Sequence, residues 1–179
     1  MEITAYIFTS ERLGFRNWKE EDIEPFSKIN ADKEVMEHFP KTLTKAETAG
    51  FIAKSQQQFL EKGFTYFAVD ILETKQFIGF IGLSYQTYEA PFNPSVDIGW
   101  RLGKEFWGNG YATEGAKKCL EYAKDSCKLS IINSVCTKTN KASENVMQKI
   151  GMQKKSNFLH PMLKDYPSLQ ECLLYQIEL

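Results

Sequence analysis

Histidine is almost missing from this chain: His38 and His160 are the only two, and they lie far apart in sequence. A histidine-based metal site or a Ser-His-Asp triad is therefore hard to build, and each histidine reads as a surface or packing residue. Cysteine is sparse as well. Cys119, Cys127, Cys136 and Cys172 form no C-x-x-C pair, and two fall on helix-like and two on strand-like sequence. They are expected as reduced thiols in a cytoplasmic protein. No apolar run approaches the roughly 18 residues needed to span a membrane. The start, Met1-Glu2-Ile3-Thr4-Ala5, lacks the basic-then-apolar order of a secretory signal. There is no long basic run and the formal net charge is -1, so nucleic acid is not an expected partner. No repeat, low-complexity tract or Pro/Gly/Ser-rich linker divides the chain, which predicts one domain over residues 1–179. What is present is ordinary for a globular protein, with 42% hydrophobic and 25% charged residues.

Residues 9–18 read as a first strand. Glu20-Glu21-Asp22 gives an acidic first helical turn that suits the helix dipole, followed by a short apolar stripe of Ile23, Phe26 and Ile29. A second helix is predicted to start at Thr44, because Thr44-Lys45-Ala46-Glu47 is a capping box, and to stop at Gly63. Residues 64–72 and 77–88 are rich in aromatic and β-branched side chains and are separated by a polar turn, which predicts an antiparallel hairpin. Residues 95–102 alternate, with Val96, Ile98, Trp100 and Leu102 on one face and Asp97, Gly99 and Arg101 on the other. A helix lasting to about Lys128 carries Ala112, Ala116, Cys119, Leu120 and Ala123 at helical spacing. Residues 131–137 read as a strand, 140–150 as a short helix stopped by Gly151, and 152–158 and 171–179 as two last strands. The order predicts a mixed sheet with helices packed on it.

The stretch with most chemical content is Trp107-Gly108-Asn109-Gly110-Tyr111-Ala112-Thr113-Glu114. A glycine turn that opens a helix leaves several N–H groups pointing one way, which suits a phosphate or pyrophosphate. The Rossmann fingerprint fails here, because its third glycine is out of place and the turn follows a hairpin. The P-loop fails too, because no Lys follows Gly110. Either a pyrophosphate cradle or a plain strand-to-helix connection remains. A second signal lies about 30 residues on, in Asn140-Lys141-Ala142-Ser143. With Asn140 at the helix N-cap, Ser143 falls on the same side one turn in, so both can point into the gap beside the preceding helix.

Together these two motifs resemble the GNAT superfamily of N-acetyltransferases, and more narrowly the subgroup that acetylates N-termini of ribosomal proteins. Residues 9–16 and 173–178 are similar to that subgroup's first and last strands. The resemblance implies a mixed, mostly antiparallel twisted sheet of about 6–7 strands with about 4 helices. Its two central parallel strands, 95–102 and 131–137, would splay to hold acetyl-coenzyme A. Backbone groups at Leu102 and Gly103 would pair with the pantetheine arm. Amides of Trp107, Gly108, Asn109, Gly110, Tyr111 and Ala112 would hold the pyrophosphate, and the Thr113 hydroxyl could add to them. Trp107 stands where the family pattern usually has Gln or Arg. Lys104 and Lys141 could help by charge, although a surface role suits both. Asn140 matches an asparagine that bonds the pantetheine arm, and Ser143 a serine near the thioester sulfur.

The implied activity is acetyl transfer to a primary amine, a protein N-terminus or a small amine, by direct attack and without metal. Asp97 is the candidate base, with a salt bridge or substrate contact as its other readings; His160, Glu105 and, as an acid, Tyr111 are weaker candidates. A homodimer would be common for such enzymes. The alternative function is a module that holds coenzyme A or another nucleotide as a sensor, without turnover.

Overall fold

The structure is a computed structural model that describes residues 5–179. Its strands are β1 (Phe8–Thr9), β2 (Leu13–Arg16), β3 (Tyr66–Ile71), β4 (Phe77–Gln86), β5 (Ser95–Leu102), β6 (Ile131–Thr137), β7 (Gln153–Leu159) and β8 (Glu171–Glu178). Its helices are α1 (Ile23–Ala31), α2 (Lys45–Lys62), α3 (Tyr111–Asp125), α4 (Lys141–Lys149) and the single turn α5 (Pro167–Gln170). The strands form one open sheet in the order β1-β2-β3-β4-β5-β6-β8-β7, so the expected α/β architecture is present with eight strands instead of six or seven. β5 and β6 are the parallel pair, and the other neighbours run antiparallel.

The extra strand comes from residues 9–18. The chain turns at Ser10, whose hydroxyl accepts from the Leu13 N–H (3.2 Å), and the single expected strand becomes the β1–β2 hairpin. α3 ends at Asp125 and not near 128, and Lys128 takes a left-handed φ of 55°. Cys127 therefore lies beyond the helix. Local signals hold elsewhere: Thr44 accepts from Glu47 N–H as Glu47 caps Thr44 N–H, and Gly63 closes α2 in the left-handed region. No helix among the described residues is long and apolar enough to cross a membrane.

Each face of the sheet carries its own apolar layer. On one face α3 and α4 lay Ala116, Cys119, Ala123 and Met147 against Phe15, Phe67, Ile81, Ile98 and Ile132. On the other, α1 and α2 bring Phe26, Ile29 and Ile52 onto Trp18, Ala68 and Phe80. The alternation along β5 decides which of its residues go where. Val96, Ile98 and Leu102 join the α3 layer, while the Gly99 backbone meets the Tyr66 ring on the α1–α2 side.

A buried ionic knot ties this second face to the sheet edge. Arg16 donates through Nε and Nη2 to Asp70 (2.7 and 2.8 Å) and through Nη1 and Nη2 to Asp22 (2.7 and 2.9 Å). The three side chains are 6%, 4% and 2% exposed, so removing the cation strands two carboxylates out of water. Arg16→Met is expected to cost about 3–5 kcal/mol, measured as a lowered urea midpoint at an unchanged slope.

Candidate active site

β5 and β6 meet at one register pair, Asp97 with Asn133, and the Ser134 hydroxyl donates to the Ile98 carbonyl at 2.9 Å. That bond fixes which way β5 presents its backbone. Ile98 faces β6, so by the two-residue period of a strand Trp100 presents its N–H and C=O the same way. At that level no pairing with β6 remains. The strands have parted, and a cleft of about 500 Å³ opens beyond them.

One wall is the turn into α3. Gly108 and Gly110 have φ of 75° and 79°, which a side chain would strain. Gly110 is the N-cap and supplies no side-chain bond, so the N–H groups of Tyr111, Ala112 and Thr113 have neither a cap nor a preceding helical carbonyl. All three residues, with Gly108 and Gly110, line the cleft. Asn109 does not. Its amide donates to the Phe106 and Trp107 carbonyls (both 3.1 Å) and braces the turn from within. The turn is also held from outside: Glu114 receives Ser10 Oγ (2.7 Å), Arg12 N–H (2.8 Å) and Arg12 Nε (2.7 Å), while Arg12 Nη2 reaches the Asn109 carbonyl (3.1 Å).

The opposite wall is the start of α4. Asn140 Oδ1 accepts from the Ser143 N–H at 3.0 Å, so the expected N-cap is present and both residues line the cleft. The Asn140 NH2 group and the Ser143 hydroxyl have no partner among the described residues. The glycine turn and the Asn140–Ser143 pair, about 30 residues apart in sequence, are thus brought together across one cavity.

Other expected positions fall differently. Leu102 lines the cleft, with its carbonyl accepting from the Trp107 indole N–H (3.0 Å), while the Gly103 N–H donates to the Ile78 carbonyl (3.0 Å). Gly103 faces a smaller hollow with Glu105, outside the cleft. The open β5 edge therefore begins at Trp100 and runs on to Leu102. Lys104 is paired with Glu34, and Lys141 with Glu144 (2.7 Å). His160 stacks on Tyr88 with ring centroids 4.4 Å apart, away from the cleft.

Asp97 stands at the closed end of the strand pair, not in the cleft lining. It accepts from the Tyr66 hydroxyl (2.9 Å) and Gln86 Nε2 (3.1 Å). Burial raises its pKa to about 6 despite these two bonds, and burial together with Asp97 raises that of Tyr66 well above its ordinary value.

Several lining residues carry no sequence signal. The segment between α1 and α2 contributes Glu34, Glu37, His38 and Phe39, and His38 Nδ1 lies 3.4 Å from Thr139 Oγ1 across the mouth. From β5 comes Arg101. It donates to Asn30 Oδ1 (2.8 Å), and its Cζ lies over the Phe39 and Phe80 rings at 4.3 and 5.5 Å. Burial without a carboxylate partner among the described residues lowers its pKa to about 10, and its enclosed Nε has no partner among them, an arrangement that costs on the order of 1–3 kcal/mol.

A family model described as the acetyltransferase (GNAT) domain matches residues 12–153. The chain belongs to the GNAT acetyltransferase family, and it is an N-acetyltransferase by that membership. An uncharacterised N-acetyltransferase of Bacillus subtilis, YnaD, is 28% identical over 151 residues, 84% of each protein. The solved GNAT-family acetyltransferase from Bacillus anthracis superposes with a TM-score of 0.78 at 25% identity, covering 95% of this chain and 96% of that one. The narrower likeness to ribosomal-protein acetyltransferases is distant. RimL, the ribosomal L7/L12 enzyme solved with coenzyme A, has the same TM-score over 98% of both chains at 14% identity, a likeness of fold.

The raised pKa of Asp97 has a signed consequence. The folded chain holds this proton more tightly than the unfolded one, so Asp97 costs stability as pH rises from about 4 to about 6. Asp97→Asn is expected to gain on the native chain by about 2–3 kcal/mol between pH 4 and pH 7, read from urea midpoints across that range.

Proposed function

We propose that the cleft binds acetyl-coenzyme A and that the chain transfers its acetyl group to a primary amine through a ternary complex. The observation that carries this is the meeting of the uncapped α3 N-terminus with Asn140 and Ser143 where β5 and β6 part. The free N–H groups of Tyr111, Ala112 and Thr113, on a glycine turn at the positive end of a helix, suit the pyrophosphate. The open Trp100 backbone and the Asn140 NH2 group suit the amides of the pantetheine arm. The donor is further supported by the coenzyme A in the solved RimL complex.

In the reaction, the amine nitrogen attacks the thioester carbonyl, a tetrahedral oxyanion forms, and the C–S bond breaks. Backbone N–H groups on the parted strand stabilise the oxyanion. Ser143 Oγ gives its proton to the departing thiolate and is reprotonated from solvent. An amine is mostly protonated at neutral pH and gives its proton to water in the cleft; Asp97, bonded by Tyr66 and Gln86 outside the cleft lining, is not in reach of it. The acceptor is a protein N-terminus or a small amine.

The test is release of free thiol from acetyl-coenzyme A across a panel of peptides and small amines. Ser143→Ala is expected to lower kcat about 10–100-fold while changing coenzyme A affinity less than about twofold. Tight coenzyme A binding without turnover of any amine would instead favour a sensor.

A further inference from the structure

Two arginines of this chain are carried into the interior, and they are treated differently. Arg16 offers a side-on edge, Nε and Nη2, and Asp70 fills it with both carboxylate oxygens at 2.7 and 2.8 Å. The same edge of Arg101 has no protein partner among the described residues: Nε is enclosed and unbonded, and Nη2 makes no hydrogen bond. The rest of the Arg101 guanidinium is fixed. Nη1 is held by Asn30, itself fully buried and anchored through Nδ2 to Thr48 Oγ1 at 3.1 Å. The Phe39 and Phe80 rings lie near the Arg101 Cζ, with centroids at 4.3 and 5.5 Å. What is left within a ligand's reach is Nη2, neither bonded nor fully enclosed, on an oriented cation that lines the catalytic cleft and suits a carboxylate there.

We infer that Arg101 is the specificity residue for the acceptor, clamping a carboxylate carried by the amine substrate, so that the acceptors are amino acids or short peptides with a free carboxylate. The inference rests on the acetyl-transfer reading above and narrows its amine. The position of Arg101 separates this role from donor binding. It projects to the α1–α2 side with Phe39 and Phe80, whereas the α3 turn has its own amides for a pyrophosphate. Two carboxylates share the cleft without bonding Arg101. Glu34 is engaged by Lys104, and Glu37 approaches His38 Nε2 at 4.0 Å, where it can face the substrate's ammonium before transfer.

The experiment compares matched pairs, each amino acid or dipeptide against its C-terminal carboxamide, by thiol release with the native chain and Arg101→Gln. For the native chain, kcat/KM is expected to be at least about 10-fold higher for the free carboxylate. In R101Q the ratio is expected to fall to within about twofold of one, with coenzyme A affinity unchanged. Equal rates for acid and amide in the native chain, a preference that survives in R101Q, or a parallel loss of coenzyme A binding would each overturn the clamp. Should R101Q not fold, Arg101→Lys replaces it; a charge without a donor at the Nη2 position is expected to lose most of the preference, and a full preference in R101K overturns the clamp. If no pair is turned over, calorimetric binding of the N-acetyl acids against their amides, with coenzyme A present, decides separately. A difference of at least about 10-fold upholds the clamp while the transfer reading fails, and no difference overturns the clamp.

Discussion

Strands β5 and β6 run parallel and touch at one level, where Asp97 faces Asn133 and the Ser134 hydroxyl holds the Ile98 carbonyl. Gln176 of β8 secures Asn133 from the far side at 3.0 Å, so the join is fixed on both flanks. Parallel neighbours need a crossover, and α3 provides it. α3 therefore begins where β5 ends, and α4 where β6 ends, so two helix N-termini arrive at the carboxyl end of the parted strands. A crevice at that end is where open α/β sheets gather ligands. Had the two strands stayed paired to their ends, the Trp100 backbone would be spent on the sheet and the cleft would close.

The two faces of the sheet divide the work. The α3–α4 face is apolar and close-packed around Ile81 and Ile132. The α1–α2 face mixes stacked aromatic rings with ionisable groups, and these are satisfied unequally. Arg16 is saturated by two carboxylates, while Asp97 and Arg101, on the same face of β5, hold charges that burial disfavours. Stability given up at two positions of one strand, against full compensation a few strands away, is the pattern expected where function sets the side chain.

What could be read from sequence was local. The capping box at Thr44, the left-handed stop at Gly63, the glycine turn and the Asn140 cap each depend on residues within a few positions, and each is found as written. The alternation of β5 gave the correct faces because one side packs under α3. The errors arise where distant residues intervene. The first strand breaks because Ser10 is claimed by its neighbour Leu13 and by Glu114, 104 residues away. The wall formed by residues 34–39 has no periodicity to detect. It is placed by tertiary contacts, Phe39 against Arg101 and His38 against Thr139.

The grip of Arg12 and Ser10 on Glu114 joins the outermost hairpin of the sheet to the turn that opens α3. The tie is a modest one, because the Arg12 bonds to Glu114 are exposed to solvent. A ligand that steadies the turn is thereby expected to slow amide exchange at the sheet's far edge, four strands from β5. The edge strand most exposed to fraying is in this way stabilised by occupancy of the centre.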